Sequence, residues 1–272
     1  LELRPAEHGW LLHVNNTAVR ADRVLLTTGG ASYPHTGSDG SVLELLRRLG
    51  VHVTGFSPAL TRLLWSGDAA DFRSLSGLSL PDVRLALPGK GGTGFRGDLL
   101  FTHGGLSGPA ALNLSRELPA AGTPLLLNLQ PDLREDELAD QLIAGAAASP
   151  GRRLTGLLTS FMPRSLAGVV AARCWPVLDG RLDTISHRQY RQIAAALLKL
   201  PLPELRPGPL SGGMVSRGGI DTDQLDPRTM MIRGHDGLYA AGELIGLDGE
   251  TGGYNLQLAF ATARAAAEAL SS

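Results

Sequence analysis

The stretch that decides the fold is residues 237–270, "GLYAAGELIGLDGETGGYNLQLAFATARAAAEAL". It opens with a short apolar run, passes through a glycine-rich loop, and ends in a segment rich in alanine. This pattern predicts a buried strand, a loop and a helix. A strand this short cannot be a domain alone, so it must complete a sheet that begins earlier in the chain.

The glycine loop of this stretch has the composition of a binding site. An acid, Glu243, follows the strand, and Gly246, Gly249, Gly252 and Gly253 precede the helix. Free backbone N–H groups in the first turn of a helix attract anionic or electron-rich groups, and glycines let a ligand approach them. A tight turn would need fewer glycines, so we favour a functional loop.

A second strand end, in "RVLLTTGGASYP" (23–34), offers bare backbone in the same way. Its continuous apolar run is typical of a buried parallel strand. The carboxyl end of such a strand can bring backbone against a ligand, although an ordinary strand-to-loop turn would use the same glycines. Ser38 or Asp39 is the expected N-cap of the next helix, which ends at Gly50. The residues at the strand end are Thr28, Gly29 and Gly30.

The middle of the chain differs from both ends. Residues 58–130 are predicted to form strands between Gly/Pro turns, with one helix at 107–118 that Ser107 would cap. Residues 131–200 carry helical spacing, and a proline-rich connector follows at 201–210. The chain is therefore an α/β segment, an insert and a short return to α/β. We expect the segments 1–57, 58–130, 131–206 and 207–272.

Two short strands are expected after the connector. They are "MMIRG" (230–234) and "GLYAA" (237–241), the second of which opens the glycine loop. Both are short apolar runs bounded by glycine.

Composition excludes several classes of function. The 25 Lys and Arg residues balance 26 Asp and Glu residues, so the net charge of −1 shows no electrostatic footprint for nucleic acid or an anionic membrane. Cys174 is the sole cysteine, which excludes a disulfide framework and fits a reducing, cytoplasmic location. No apolar run approaches the roughly 20 residues that span a bilayer. Because the sequence opens at Leu1 as if inside a strand, we expect a fragment or a trimmed chain.

Several familiar motifs lack the sequence context that their function requires. "GKGGTG" (89–94) matches G-x-G-x-x-G, but the strand-like "FRGDLLFT" follows it where a dinucleotide site needs a helix, so we predict a hairpin loop. The histidines lack metal-ligand spacing, so no metal is expected, and no G-x-S-x-G elbow is present. His103, in "LLFTHGGLSGPAAL" (99–112), is either a structural loop residue or a residue that faces a substrate.

Four segments together resemble a known family, the BaiN/RdsA-type FAD-dependent oxidoreductases of the glutathione-reductase-like superfamily. They are "DRVLLTTGGASYPHTGSDG", "LLFTHGGLSGPAALNLS", "SGGMVSRGGIDTDQLDPRTM" and "GLYAAGELIGLDGETGGYNLQLAF". The resemblance implies an α/β fold in which a Rossmann-like FAD domain is interrupted by a domain that is part β-barrel and part helical. It also implies FAD as the cofactor. The family begins with a G-x-G-x-x-G strand, turn and helix that this sequence lacks, so the Rossmann-like domain is expected to be incomplete.

The resemblance also implies which residues meet the cofactor and the substrate. His103 and Tyr33 are the candidates that face the active cavity. The expected FAD contacts are Thr28, Gly29, Gly30, Gly242, Glu243, Asp248, Gly252, Gly253, Tyr254, Asn255 and Leu256.

The expected activity is hydride transfer through the flavin. The enzyme would be NAD(P)H-linked or of the oxidase type and would act on a small molecule. Neither nucleic acid nor membrane is expected as a partner. A non-catalytic remnant that serves as an interaction module is the alternative. An FAD-dependent RNA-modifying enzyme is disfavoured because no basic stripe is present. The sequence predicts no oligomeric state.

Overall fold

The computed structural model describes residues 2–15, 17–89, 93–175 and 181–271, without the side chain of Cys174. The chain divides into two compact units. One, the split unit, consists of Leu1–Thr61 and Gly208–Ser272, and the other, the continuous unit, is Arg62–Pro207. The architecture is mixed α/β.

Among the described residues, the split unit contains three small sheets and two α-helices. The elements are β1 (Glu2–Pro5), β2 (Trp10–Val14), β3 (Thr17–Ala21), β4 (Val24–Leu26), α1 (Val42–Arg48), β5 (Val53–Thr61), β12 (Gly213–Ile220), β13 (Leu238–Ala240) and α8 (Tyr254–Ser271). The antiparallel strands β1, β2 and β3 form a meander, β4 pairs in parallel with β13, and β5 pairs with β12.

The parallel pair confirms the strand that opens the deciding stretch. Leu238 lies opposite Val24, and Ala240 lies opposite Leu26. Ala241 N donates to Leu26 O across 3.0 Å, which extends the pairing towards the glycine loop. The side chains of Val24, Leu26, Leu238 and Ala240 are buried in one core. The two strands therefore end side by side, each followed by its glycine-containing loop.

The continuous unit is a closed six-stranded barrel with helices. The barrel order is β10-β11-β6-β9-β8-β7. The elements are β6 (Leu63–Trp65), α2 (Ala70–Arg73), β7 (Ser79–Ala86), β8 (Gly94–Thr102), β9 (Gly105–Ser107), α3 (Pro109–Leu114), β10 (Thr123–Asn128), α4 (Glu135–Ala148), α5 (Leu154–Leu158), α6 (Arg164–Cys174), α7 (His187–Leu198) and β11 (Leu200–Pro207).

Aromatic rings fill part of the barrel core. The ring centroid of Phe72 lies 5.9 Å from that of Trp65 and 6.2 Å from that of Phe101. Both phenylalanines are fully buried, as expected for side chains that carry much of a core's hydrophobic stabilisation. The guanidinium of Arg173 lies over the Phe72 ring, 5.4 Å from its centroid, and pairs with Asp71. It therefore packs at the edge of this aromatic cluster.

The prediction of a proline-rich connector was wrong for residues 201–207, and the predicted helical segment ends one residue too late, at Leu200. This segment is the barrel strand β11, in which Leu200, Leu202 and Leu205 are fully or nearly fully buried. Proline lacks a backbone N–H, which is why its density argued against a strand. The pairing of β10 with β11 carries a register shift between Leu202 and Leu205, and Pro203 lies within it.

Three further local predictions need correction. Ser107 ends β9, and the residue that caps α3 is Gly108 at φ 91°. Ser41 is the residue before α1, where Asp39 Oδ1 accepts from Ser41 N. Hydrogen bonds from Ser41 lower the pKa of Asp39 from its usual value. "MMIRG" forms only isolated bridges, between Met231 and Tyr239 and between Ile232 and Leu225.

The rejected G-x-G-x-x-G match joins two strands. β7 and β8 pair antiparallel on either side of it, as a hairpin requires. Residues 90–92 of the motif lie outside the described residues. Within the described ranges, no helix combines the length and the apolar composition that crossing a bilayer requires.

Arg96, on the continuous unit, forms ion pairs with two exposed carboxylates. It donates two hydrogen bonds to Asp82 at 2.6 Å and two to Asp132 at 2.7 Å. These side-chain hydrogen bonds lower the pKa of both carboxyl groups from 3.8. The folded-state pKa values lie below the unfolded value, so the stabilisation is complete above about pH 4 and is lost as pH falls further.

We therefore expect the stability effect of Arg96→Gln to depend on pH. The variant should melt a few degrees below wild type at pH 7, and the difference should shrink as pH falls towards 3. Thermal unfolding followed by circular dichroism at several pH values measures this. A matched control is Arg84→Gln on β7, and a difference in melting temperature for Arg96→Gln that stays constant with pH would contradict the ion-pair account.

Candidate functional site

The split unit contains a cavity of about 340 Å³ at the N-terminal end of α8. Its wall is mostly apolar, with side chains such as Leu60, Val215 and Leu258. Two carboxylates, Glu243 and Glu250, also line it. Its volume falls in the range of ligand sites, which begins near 300 Å³. The cavity brings together these sequence-predicted residues: Gly242, Glu243, Gly252, Gly253, Asn255 and Leu256.

Glycine backbone forms the polar rim of this cavity. Gly242, Gly252 and Gly253 have φ angles of 78°, 119° and 91°, a region in which glycine pays no steric cost. A Cβ added at Gly242 or Gly253 would meet no atom within 4 Å, so the backbone there faces open space. This is the surface that a ligand needs in order to approach main-chain groups.

The first turn of α8 lies at the same rim. Its first backbone hydrogen bond runs from Gln257 N to Gly253 O at 3.0 Å. The N–H groups of residues 254–256 precede that bond, as at the start of any helix, and can interact with electron-rich atoms. The side chains of Tyr254 and Leu256 are exposed.

Asn255 fastens the glycine loop to the helix. Its Oδ1 accepts from Gly249 N at 2.8 Å, and its Nδ2 donates to Gly249 O at 3.0 Å. The side-chain amide therefore satisfies both backbone groups of one loop residue. In this geometry Asn255 holds the glycine loop against the N-terminal end of α8.

Glu243 reaches across to a different strand. Its Oε1 accepts from the backbone N–H of Ser216, on β12, at 2.5 Å. Ser216 Oγ in turn accepts from Ala31 N at 2.8 Å and lies 2.9 Å from Ser32 Oγ. Gly30 packs against this group without space for a Cβ. Ser216 thus joins the two glycine loops, and no motif in the sequence marked it beyond its place in a segment that resembles the family.

Thr28 lines a different cavity, and Gly29 packs against Ser38 beside it. Thr28 lines a polar cavity of about 270 Å³ with residues of the 37–42 turn and Leu45. Ser38 Oγ donates to Thr28 O at 3.2 Å. Gly29 has φ 70°, and an added Cβ would lie 2.8 Å from Ser38 Oγ. Within the described residues, these two do not line the larger cavity.

The remaining predicted residues have other surroundings. Asp248 is only 10% exposed and pairs with Arg217 at 3.6 Å. Tyr33 is exposed, and its ring meets the edge of His35 at 6.1 Å. His103 belongs to the continuous unit, where it lies exposed in the turn between β8 and β9. Among the residues that the structure describes, no three His, Cys, Asp or Glu side chains gather as metal ligands would.

Comparison with known protein families decides the membership of the chain. A family model described as "HI0933-like protein Rossmann domain" matches residues 3–269. The chain belongs to this family. The match spans both units of the HI0933-like chain, including the cavity and the buried serine.

Curated relatives of this HI0933-like chain carry enzyme names. The ribosomal RNA dihydrouridine synthase of Escherichia coli (strain K12) is 30% identical, over 99% of this chain and 66% of that protein. The enzyme of the same name from Haemophilus influenzae is 29% identical, over 96% of this chain and 63% of that protein. The 3-dehydro-bile acid delta(4,6)-reductase of Clostridium scindens is 26% identical, over 98% and 67%. The chain spans about two thirds of the length of these relatives.

The loop clamp of this HI0933-like chain gives a direct prediction. Asn255→Ala should destabilise the protein by about 1–2 kcal/mol, because two backbone groups of Gly249 lose their partner. Asn255→Asp keeps the acceptor for Gly249 N but turns a carboxylate oxygen, which cannot donate, towards Gly249 O, so it should also destabilise the protein. Thermal melting and hydrogen exchange at the Gly249 amide measure both effects. Gln257→Ala, two residues along the helix, is the control, and an equal effect from it would count against the clamp.

Proposed function

We propose that this HI0933-like chain is part of an FAD-dependent oxidoreductase that reduces a carbon–carbon double bond conjugated to a carbonyl group in a small molecule. NAD(P)H is the proposed electron donor, and the proposed location is the cytoplasm. The observation that carries the proposal is the glycine-rimmed apolar cavity at the start of α8, with Glu243 beside it.

The donor set of the cavity fits a flavin. A flat, largely apolar ring with polar edges needs apolar walls and close backbone donors. The cavity has apolar walls, and the N–H groups at the start of α8 are the donors at its rim, whereas the N–H of Gly242 already donates to Thr262 Oγ1 at 3.0 Å. Open space beside the backbone of Gly242 and Gly253 provides the approach that larger residues would block. The proposed FAD contacts remain Thr28, Gly29, Gly30, Gly242, Glu243, Asp248, Gly252, Gly253, Tyr254, Asn255 and Leu256.

The names of the relatives favour the reaction class. A dihydrouridine synthase saturates a pyrimidine double bond conjugated to a carbonyl, and a delta(4,6)-reductase of a 3-dehydro bile acid reduces double bonds conjugated to a ketone. Both reactions add a hydride at one carbon and a proton at its neighbour. The shared chemistry, rather than either substrate, is what we extend to this chain.

FAD, once reduced, would supply the hydride. The protein has three tasks in such a reaction. Backbone N–H groups at the start of α8 can stabilise negative charge next to the helix end. The apolar side chains of the cavity exclude water and so strengthen those interactions. Tyr33 and His103 are the proposed groups that face the substrate, because a phenol or an imidazole can deliver the required proton.

Ribosomal RNA is the competing substrate, favoured by the names of two relatives. The balanced charge of the chain and the absence of Lys and Arg from the described lining of the cavity argue for a neutral small molecule instead. A third possibility is a non-catalytic remnant, which would bind no flavin.

The test first records a visible spectrum to detect bound flavin and then assays the protein with two substrates. The full-length protein is purified, titrated with FAD and examined for flavin absorbance in the visible range. NAD(P)H oxidation is then measured with a steroid 4-en-3-one and, separately, dihydrouridine is measured in an rRNA transcript. Flavin binding with turnover of the enone is the expected result. A colourless protein that ignores FAD would refute the flavoprotein proposal, and turnover of RNA alone would replace the substrate class.

A further inference from the structure

We propose that Ser216 is a positioning residue of the FAD site, which holds Glu243 and the 30–32 loop at a fixed separation. The inference rests on the proposed function, because the proposed FAD site is what gives the fixed separation of these two segments a purpose. Ser216 touches both segments through different atoms, its backbone N–H and its hydroxyl. It lies on β12, in the one quoted family segment for which the predicted site has no residue.

The backbone N–H of Ser216 is directed away from its own strand partner. Ser216 lies opposite Pro58 in the pairing of β12 with β5. Its N–H donates to Glu243 Oε1. A hydrogen bond to a carboxylate is stronger than one between neutral groups, so it fixes the orientation of the side chain. One oxygen of the carboxylate is thus committed to Ser216, while Glu243 still lines the cavity.

The hydroxyl of Ser216 completes a buried network. Its Oγ accepts from Ala31 N at 2.8 Å and shares a hydrogen bond of 2.9 Å with Ser32 Oγ. Ser216 is 1% exposed and Ser32 is 2% exposed, so water cannot easily replace these partners. Removal of the hydroxyl would leave the partly buried N–H of Ala31 without its acceptor, and an unsatisfied donor away from water is destabilising.

Gly30 shows how closely the three segments approach. A Cβ built on Gly30 would lie 2.6 Å from Glu243 Oε1 and closer still to Ser216 Oγ. The loop backbone, the serine and the carboxylate are therefore in direct contact. Since a change in one displaces the others, Ser216 sets the distance between the strand ends that are proposed to hold the cofactor.

The test compares FAD binding by three variants of the full-length protein. Ser216→Ala removes the hydroxyl, and Ser216→Cys keeps the shape but supplies a weak acceptor. Ser57→Ala is the matched control, because Ser57 is a serine on β5 whose Oγ makes only a 3.4 Å bond to Arg217 O. The dissociation constant of FAD is measured by fluorescence titration of the apoprotein at 10 °C. Visible circular dichroism then reports the environment of the bound flavin.

We expect about tenfold weaker FAD binding for Ser216→Ala, a smaller loss for Ser216→Cys, and no change for Ser57→Ala. The flavin dichroism should change in Ser216→Ala and not in the control. A Ser216→Ala protein that is less stable but binds FAD within twofold of wild type overturns the positioning role. If Ser216→Ala does not fold, an unchanged FAD constant for Ser216→Cys overturns it instead. Wild-type protein that does not bind FAD would refute the proposed function itself, which separates the two failures.

Discussion

Gly105→Ala is expected to lower the melting temperature of the protein by about 10 °C, while Gly104→Ala, one residue earlier, leaves it nearly unchanged. Gly105 lies on β9 opposite Leu64 on β6. A Cβ built on it would overlap the carbonyl oxygen of Leu63 and would lie 2.9 Å from Leu64 Cα. These are backbone atoms, which cannot rotate away as a side chain can.

The cost arises because β6 and β9 are neighbours in a closed barrel. Separation of the pair to admit a methyl group would disturb the strands on both sides, and overpacking of this kind costs about 3 kcal/mol or more. Gly104 provides the control because its added Cβ meets nothing within 4 Å. Thermal unfolding of both variants, followed by circular dichroism, decides the matter. Equal melting temperatures would show that β6 and β9 are not in this register.

The second large effect is expected on cofactor binding. Gly30→Ala should weaken FAD binding by at least about thirtyfold, because the new methyl group would collide with Ser216 Oγ and Glu243 Oε1. The carboxylate and the loop cannot both keep their positions. Gly55→Ala is the control, since a Cβ at this β5 residue meets no atom within 4 Å.

Flavin fluorescence titration of the full-length apoprotein measures the effect of Gly30→Ala. The melting temperature of each variant is recorded alongside, so that binding is compared only where both proteins are folded. A Gly30→Ala protein that is folded and retains the wild-type dissociation constant would place FAD away from this loop. It would thereby contradict the assignment of Gly30 and leave the cavity residues as the remaining contacts.

Local patterns predicted the elements that build the candidate site. The apolar runs of β4 and β13 and the alanine-rich α8 were readable because buried parallel strands and long helices have strong periodic signals. The glycines of the loop marked the cavity rim for a similar reason, since their need for positive φ or open space is local. The interrupted FAD domain stays a proposal, supported by the family and by the division into two units.

Long-range pairings explain what the sequence could not predict. β11 was missed because its prolines outweighed its leucines, and only closure of the barrel selects the strand. Ser216 was missed because its partners Ala31 and Glu243 are far away in sequence and no spacing rule connects them. Asp248 was predicted to contact the cofactor. In the structure its carboxylate faces Arg217, and the predicted contact with the cofactor stays untested.

The division of the split unit has a consequence for synthesis on the ribosome. β5 ends at Thr61, but its partner β12 begins at Gly213, after the whole continuous unit has been made. The barrel therefore has all its strands before β5 can find its neighbour, and we expect the unit encoded in the middle to mature first. During that interval β4 also lacks its partner β13, so the partly synthesised split unit exposes unpaired strand edges. Chaperones that recognise exposed strands would be needed most at this point of translation.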